Sequence, residues 1–196
     1  MLDIKFFFGI VAIVLNFVAY APYIRDIIKG KTTPHAFTWF LFGLINAFVF
    51  GLQISSGAGI GAFVSLAISV TVFFIFVLSL YKGEKKITIS DIVFFVLALI
   101  ALILWVYVKQ PVFSTILLSI TNILAFAPTV RKSWEKPFSE TFSTYVMNGS
   151  KHAINLIALE HYNIVTYLFP LSASIITFAF VFMLIFRRRI LKTKIF

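Results

Sequence analysis

Apolar residues fill seven stretches of the chain, each about as long as a membrane-spanning helix. A bilayer core of about 30 Å requires roughly 20 apolar residues per helix. Polar residues, glycine and proline collect in short connections between these stretches. The pattern predicts an all-α membrane protein with seven transmembrane helices, at about 4–24, 36–54, 58–81, 89–108, 111–130, 141–159 and 163–186.

Composition supports this class of protein. Of the 196 residues, 61% are hydrophobic and only 12% are charged, which is unlike an ordinary soluble domain. The chain has no cysteine, so disulfides and thiolate metal sites are excluded. We expect no metal and no cofactor.

The net charge of +10 is explained by where the basic residues lie along the chain. With seven helices, fourteen of the seventeen basic residues fall on one side, in connections 25–35, 82–90 and 131–140 and in the tail after 186. Cytoplasmic connections carry such an excess. We therefore expect an outside N-terminus, a cytosolic C-terminus and a bacterial or archaeal plasma membrane, with the lipid bilayer rather than nucleic acid as partner.

The sequence repeats itself at a spacing of 106 residues. Five residues of the first helix recur in the fifth: Asn16, Ala19, Ala21, Pro22 and Arg25 match Asn122, Ala125, Ala127, Pro128 and Arg131. Because each repeat holds three helices, a linker helix is needed to keep the two copies parallel. We predict a first repeat at 1–81, a linker helix at 82–108, a second repeat at 109–186 and a basic cytosolic tail at 187–196.

The stretch from Ala21-Pro22-Tyr23 through Lys29-Gly30-Lys31 to Thr38-Trp39 resembles the PQ-loop and SWEET superfamily of membrane transporters. This superfamily includes nicotinamide riboside transporters and the KDEL receptors. The resemblance implies two three-helix bundles joined by a linker helix, and hinges at Pro22 and Pro128. Tyr23 and Thr129 replace the glutamine of the family motif. Near the places where the family has a second pair of helix prolines, this chain has Gly43 and Gly149, which we predict as two further hinge positions.

Polar residues within the spans are the candidate binding residues. The sixth helix has four on one face, because their spacings are three, four and seven. A mid-membrane charge such as Lys151 costs about 2.5–3.5 kcal/mol, so it should face the bundle interior. Each candidate also has a structural alternative. Lys151 could extend its amine to the membrane surface. Trp39 and Tyr145 could be aromatic residues of the membrane interface, and Asn16 and Asn122 could hydrogen-bond neighbouring helices. The predicted substrate-binding residues are Trp39, Asn46, Tyr145, Asn148, Lys151, His152, Asn155, Asn16 and Asn122.

These features favour a transporter that moves a small polar solute, such as a sugar, nucleoside or vitamin, by alternating access. Lys151 and His152 favour a solute with acceptor oxygens or an anionic group, and His152 offers a route for proton coupling. A non-transporting receptor or assembly factor of the same fold is the alternative. The sequence has no catalytic constellation, so we do not expect an enzyme. The sequence is compatible with a homo-oligomer.

Overall fold

The computed structural model describes residues 2–31, 33–83, 87–135, 137–138, 140 and 142–193, without the side chains of Leu2, Asp3, Pro128, Lys132, Lys192 and Thr193. The chain is all-helical over these residues. The helices are α1 (Leu2–Ile28), α2 (Ala36–Ser55), α3 (Ile60–Lys82), α4 (Ile89–Val106), α5 (Pro111–Glu135), α6 (Phe142–Ala158) and α7 (Ile164–Thr193).

Every predicted span coincides with one of these helices. Six of them, all except α6, are long and apolar enough to cross a membrane, which is consistent with a multi-pass integral membrane protein. Helix α6 has 17 residues and carries the polar face that the sequence indicated. Its predicted position is therefore confirmed, while its length and polarity set it apart from the other six.

Three helices run beyond the apolar stretches from which they were predicted. Helix α1 continues past Pro22 to Ile28, α5 continues to Glu135, and α7 continues through the arginines at 187–189 to Thr193. Backbone hydrogen bonding does not require an apolar sequence, so a helix can extend into the headgroup region. Residues 187–193 of the predicted basic tail are thus helical.

Helix packing divides the chain into two groups. Helix α3 packs along α1 and α2, and α7 packs along α5 and α6. The most extensive contact between the groups is that of α1 with α6, whereas α2 contacts α5 only lightly. Small residues allow some of these approaches: a Cβ on Gly43 would lie 2.9 Å from the Phe73 ring, and one on Gly149 would lie 3.1 Å from the Phe178 ring.

Helix α4 lies against α5 and also touches α2. It begins with a capping box in which Thr88 and Asp91 each accept a backbone N–H of the other. Only Asp91, Ala98 and Ala101 of this helix are buried, and most of its large apolar side chains face outward. Its contact with α2 includes Trp105 over Gly51, where a Cβ would overlap the indole ring.

The Gly51 contact gives a test of how α4 docks. The substitution Gly51→Ala should lower the melting temperature in detergent, by an amount equivalent to about 1–3 kcal/mol, because the indole must move. The same substitution in a Trp105→Leu background should cost much less, since the ring is gone. Equal losses in the two backgrounds would contradict this docking.

Candidate functional site

A cavity of about 470 Å³ lies between the two groups of helices and is lined by six of them, α4 being the exception. Its shallow residues come from the connections and helix ends on one side of the protein, and include the exposed Thr33 together with Asp26, His35 and Glu140. Its deep residues include Ile68 of α3 and Phe169 of α7. The cavity is therefore open on the side of the α1–α2 and α5–α6 connections.

The mouth of the cavity is held by side-chain hydrogen bonds. His35 caps α2, with its Nδ1 2.8 Å from Thr38 Oγ1 and its Nε2 3.8 Å from the Asp91 carboxylate of α4. On the opposite group of helices, the Tyr145 hydroxyl donates to Glu140 Oε2 over 2.9 Å. His35, Tyr145 and Glu140 therefore border the opening.

Aromatic rings form much of the cavity wall. Trp39 packs against three lining rings, with centroid distances of 6.1 Å to Tyr20, 5.0 Å to Tyr23 and 6.4 Å to Phe42. From the other group, Tyr145 and Phe126 line the cavity with centroids 6.0 Å apart. Trp39 and Tyr145, both among the predicted substrate-binding residues, thus line one cavity.

Four further predicted residues also line the cavity: Asn46, Asn122, Asn148 and His152. The side-chain amide nitrogens of Asn46 and Asn148 each donate, over 2.9 Å, to the backbone carbonyl four residues earlier. Asn46 Oδ1 and His152 Nδ1 are buried and have no hydrogen-bond partner among the described residues. Both atoms are covered by neighbouring protein atoms, so they lie within the wall of the cavity and not on its surface.

Lys151, Asn16 and Asn155 do not line the cavity, although we predicted that they would. Lys151 is completely buried, and its Nζ donates to Asn16 Oδ1 over 2.8 Å. The amine also lies 4.6 Å from the centre of the Tyr20 ring, whose own surface borders the cavity. The Asn16 amide donates in turn to Thr71 Oγ1 over 2.9 Å. Lys151 thus bridges α6 to α1 and α3 behind the cavity wall.

This position corrects an expectation about charge. We expected Lys151 to favour a solute with acceptor oxygens or an anionic group, but its amine is directed to Asn16 and Tyr20. Among the described residues that line the cavity, none is lysine or arginine. The buried position itself agrees with the prediction that Lys151 faces another helix rather than lipid.

The opposite end of the cavity is closed by hydrogen bonds between the two groups of helices. The α2–α3 connection accepts from the α6–α7 connection twice: Glu160 N donates to Ala58 O over 3.1 Å, and Asn163 Nδ2 donates to Ser56 O over 3.0 Å. The Lys5 amine at the start of α1 donates to Glu160 O over 2.9 Å. These contacts join α1 and both connections into a seal.

Polar groups continue from this seal into the interface. Gln53 Nε2 donates to Thr166 O over 2.9 Å, and Ser65 Oγ donates to Gln53 Oε1 over 2.6 Å; all three residues are buried. Gly59 is part of the same closure, because its φ is +60° and a Cβ there would overlap the Glu160 side chain. The closed end is therefore polar, specific and tightly fitted.

The predicted hinge residues have different surroundings. Pro22 lies inside α1, and Pro128 lies within α5 with its side chain outside the described part of the structure. Gly43 and Gly149 are covered by phenyl rings, and their carbonyls accept hydrogen bonds from Ser69 and Ser174. These contacts indicate close packing at both glycines, and hinge motion at the four positions stays a prediction.

Several lining residues were not among the predicted set. They include Tyr20, Tyr23, Phe42, Phe126, Thr144 and Thr177. Tyr20 and Phe126 did carry a signal, because they occupy equivalent positions in the sequence repeat. The others are aromatic or hydroxyl residues of a kind common throughout these helices, so their type alone did not identify them.

Comparisons of the chain with protein-family models, curated proteins and solved structures give no match.

The Lys151 bridge predicts a coupled effect on stability. Lys151→Met should lower the melting temperature, by an amount equivalent to about 1–2 kcal/mol, because Asn16 Oδ1 is left buried without its donor. The double substitution Asn16→Leu with Lys151→Met should recover part of this loss, since both partners are then apolar. A higher melting temperature for Lys151→Met alone would show that the charge only costs stability and would contradict the bridge.

Proposed function

We propose that this protein is an integral membrane transporter that moves a small polar solute by alternating access. The observation that carries the proposal is the cavity between the two groups of helices, open at one end and closed by hydrogen bonds at the other. A site of this kind exposes a solute to one side of the membrane at a time. If the closed end opens while the mouth closes, the same residues face the other side.

The proposed architecture is two parallel three-helix bundles, α1–α3 and α5–α7, joined by α4 as linker. Equivalent packing within the two bundles supports it, with the third helix of each lying along the first and second. Equivalent hydrogen bonds support it further: Ser69 Oγ donates to Gly43 O over 2.9 Å, and Ser174 Oγ donates to Gly149 O over 3.2 Å. A repeated sequence that repeats its hydrogen bonds is expected of two copies of one unit.

The hydrogen bonds also refine the repeat alignment. Gly43 and Gly149 are 106 residues apart, but the serines that bond to them, Ser69 and Ser174, are 105 apart. The equivalence of the third helices is thus offset by one residue from the 106-residue spacing of the repeat.

The resemblance to the PQ-loop and SWEET superfamily agrees with this architecture and with the proposed transport. The basic connections lie at the open end of the cavity, so by the positive-inside rule that end faces the cytosol. In this orientation the N-terminus is outside, and the seal near Lys5 and Glu160 closes the external side. We propose a non-enzymatic role for the site.

Uptake by purified protein in liposomes tests the proposal, with a panel of radiolabelled sugars, nucleosides, vitamins, amines and amino acids. We expect at least one solute to enter faster than into protein-free liposomes and to exchange against its own unlabelled form. His152→Leu and Asn148→Leu should each slow that uptake about tenfold or more, the loss expected for one buried hydrogen bond.

Ser119→Ala is the matched control, because Ser119 is buried on α5 but does not line the cavity. It should leave uptake unchanged. Unaltered uptake in both cavity variants, with folded protein, would contradict the site. Saturable binding without uptake of any solute would instead support the receptor alternative.

A further inference from the structure

Several polar side chains of the cavity already donate hydrogen bonds to other groups of the protein. The Tyr145 hydroxyl donates to Glu140, and the Thr177 hydroxyl donates to Ala173 O over 2.7 Å. The amide nitrogens of Asn46 and Asn148 are anchored to backbone carbonyls of their own helices. The two hydroxyls therefore offer a solute only oxygen lone pairs, and each amide offers its oxygen and one remaining N–H.

Asn46 is an example of a side chain whose oxygen is unpaired. Asn46 lines the cavity and is only 5% exposed, and its Oδ1 has no hydrogen-bond partner in the described part of the chain. A buried carbonyl oxygen without a hydrogen bond is costly, so a rotation of the Asn46 side chain that exposes this oxygen to a donor of a bound solute would be favoured. His152 Nδ1 is likewise unpartnered, and it can take either role according to its tautomer.

The charged side chains that line the cavity also favour a solute that donates hydrogen bonds. The Glu140 carboxylate borders the cavity beside Tyr145, and Asp26 lies there with Arg25 as its exposed salt-bridge partner at 3.0 Å. Neither lysine nor arginine occurs among the described lining residues. Basic residues of the connections, Arg25 among them, lie at this end of the protein, but the described charged groups that line the cavity itself are carboxylates. Inside the cavity these carboxylates favour a cation over an anion.

The aromatic rings of the cavity wall can also attract a cation. An ammonium group is attracted to the face of an aromatic ring within about 6 Å of its centre. The protein already uses one ring of this wall in that way, because the Lys151 amine lies 4.6 Å from the Tyr20 centroid. Trp39 and Tyr23 present further rings to the cavity beside Tyr20.

We propose that the cavity binds a cationic amine carried on a planar ring, and that it excludes anionic solutes. The ammonium group, which has three donors and no acceptor, matches the side-chain oxygens of Asn46 and Asn148. The planar ring matches the aromatic wall of Trp39, Tyr20 and Tyr23. The inference rests on the proposed function for the identity of the site, but it concerns binding and can be tested without transport.

Three indole compounds of equal ring structure and different charge test the selectivity: tryptamine, tryptophol and indole-3-propionate. Isothermal titration of the purified full chain in detergent should give saturable tryptamine binding, about tenfold or more tighter than tryptophol, because a charged donor strengthens each hydrogen bond. Indole-3-propionate should not bind saturably. Absent tryptamine binding, or equal or tighter binding of indole-3-propionate, would overturn the proposal.

Asn46→Leu and Asn148→Leu test the residues. Each should weaken tryptamine binding about tenfold at an unchanged fold, since one charge-assisted hydrogen bond is lost. Ser119→Ala should bind tryptamine as the unmodified protein does. Unchanged tryptamine affinity in both asparagine variants, with melting curves that show folded protein, would overturn the assignment to these oxygens.

Uptake separates this inference from the proposed function. Tryptamine binding without entry into liposomes would overturn transport and leave the selectivity intact. Uptake of a neutral or anionic solute by a protein that does not bind tryptamine would support transport and overturn the selectivity.

Discussion

A lysine amine buried within a membrane bundle must find its partners in the protein, since lipid offers none. Lys151 of α6 finds them on the other group of helices, at Asn16 and on the face of Tyr20. This contact explains why α6, the shortest and most polar of the seven helices, packs so extensively along α1. It also fixes Tyr20, so the wall of the cavity depends on the same amine.

The two copies of the repeat are used unequally. Ile45 occupies the position in the first copy that Lys151 occupies in the second, and it is fully buried. Asn16 is engaged by the lysine, whereas its counterpart Asn122 has no such partner in the repeat and lines the cavity. The α1–α6 side of the interface is thus the bonded side. The lightly packed α2–α5 side leaves room for the cavity.

The positions of the helices followed from the sequence because a membrane helix is specified locally, by about 20 apolar residues and flanking polar ones. The cavity was predictable in part: Trp39, Asn46, Tyr145, Asn148, His152 and Asn122 line it. Lys151, Asn16 and Asn155 share the polar character of those residues, but helical periodicity gives only the face of a helix. Whether that face meets a cavity or another helix depends on tertiary packing, as the Lys151–Asn16 contact illustrates.

The central claim is that the seal between the α2–α3 and α6–α7 connections must open for a solute to pass. A cysteine pair at Ser56 and Asn163 tests it directly, because these residues are joined by a 3.0 Å hydrogen bond and the chain has no cysteine of its own. Uptake into liposomes should stop when the pair is oxidised and return when it is reduced, with either single cysteine variant unaffected. Undiminished uptake by the fully oxidised pair would contradict the account.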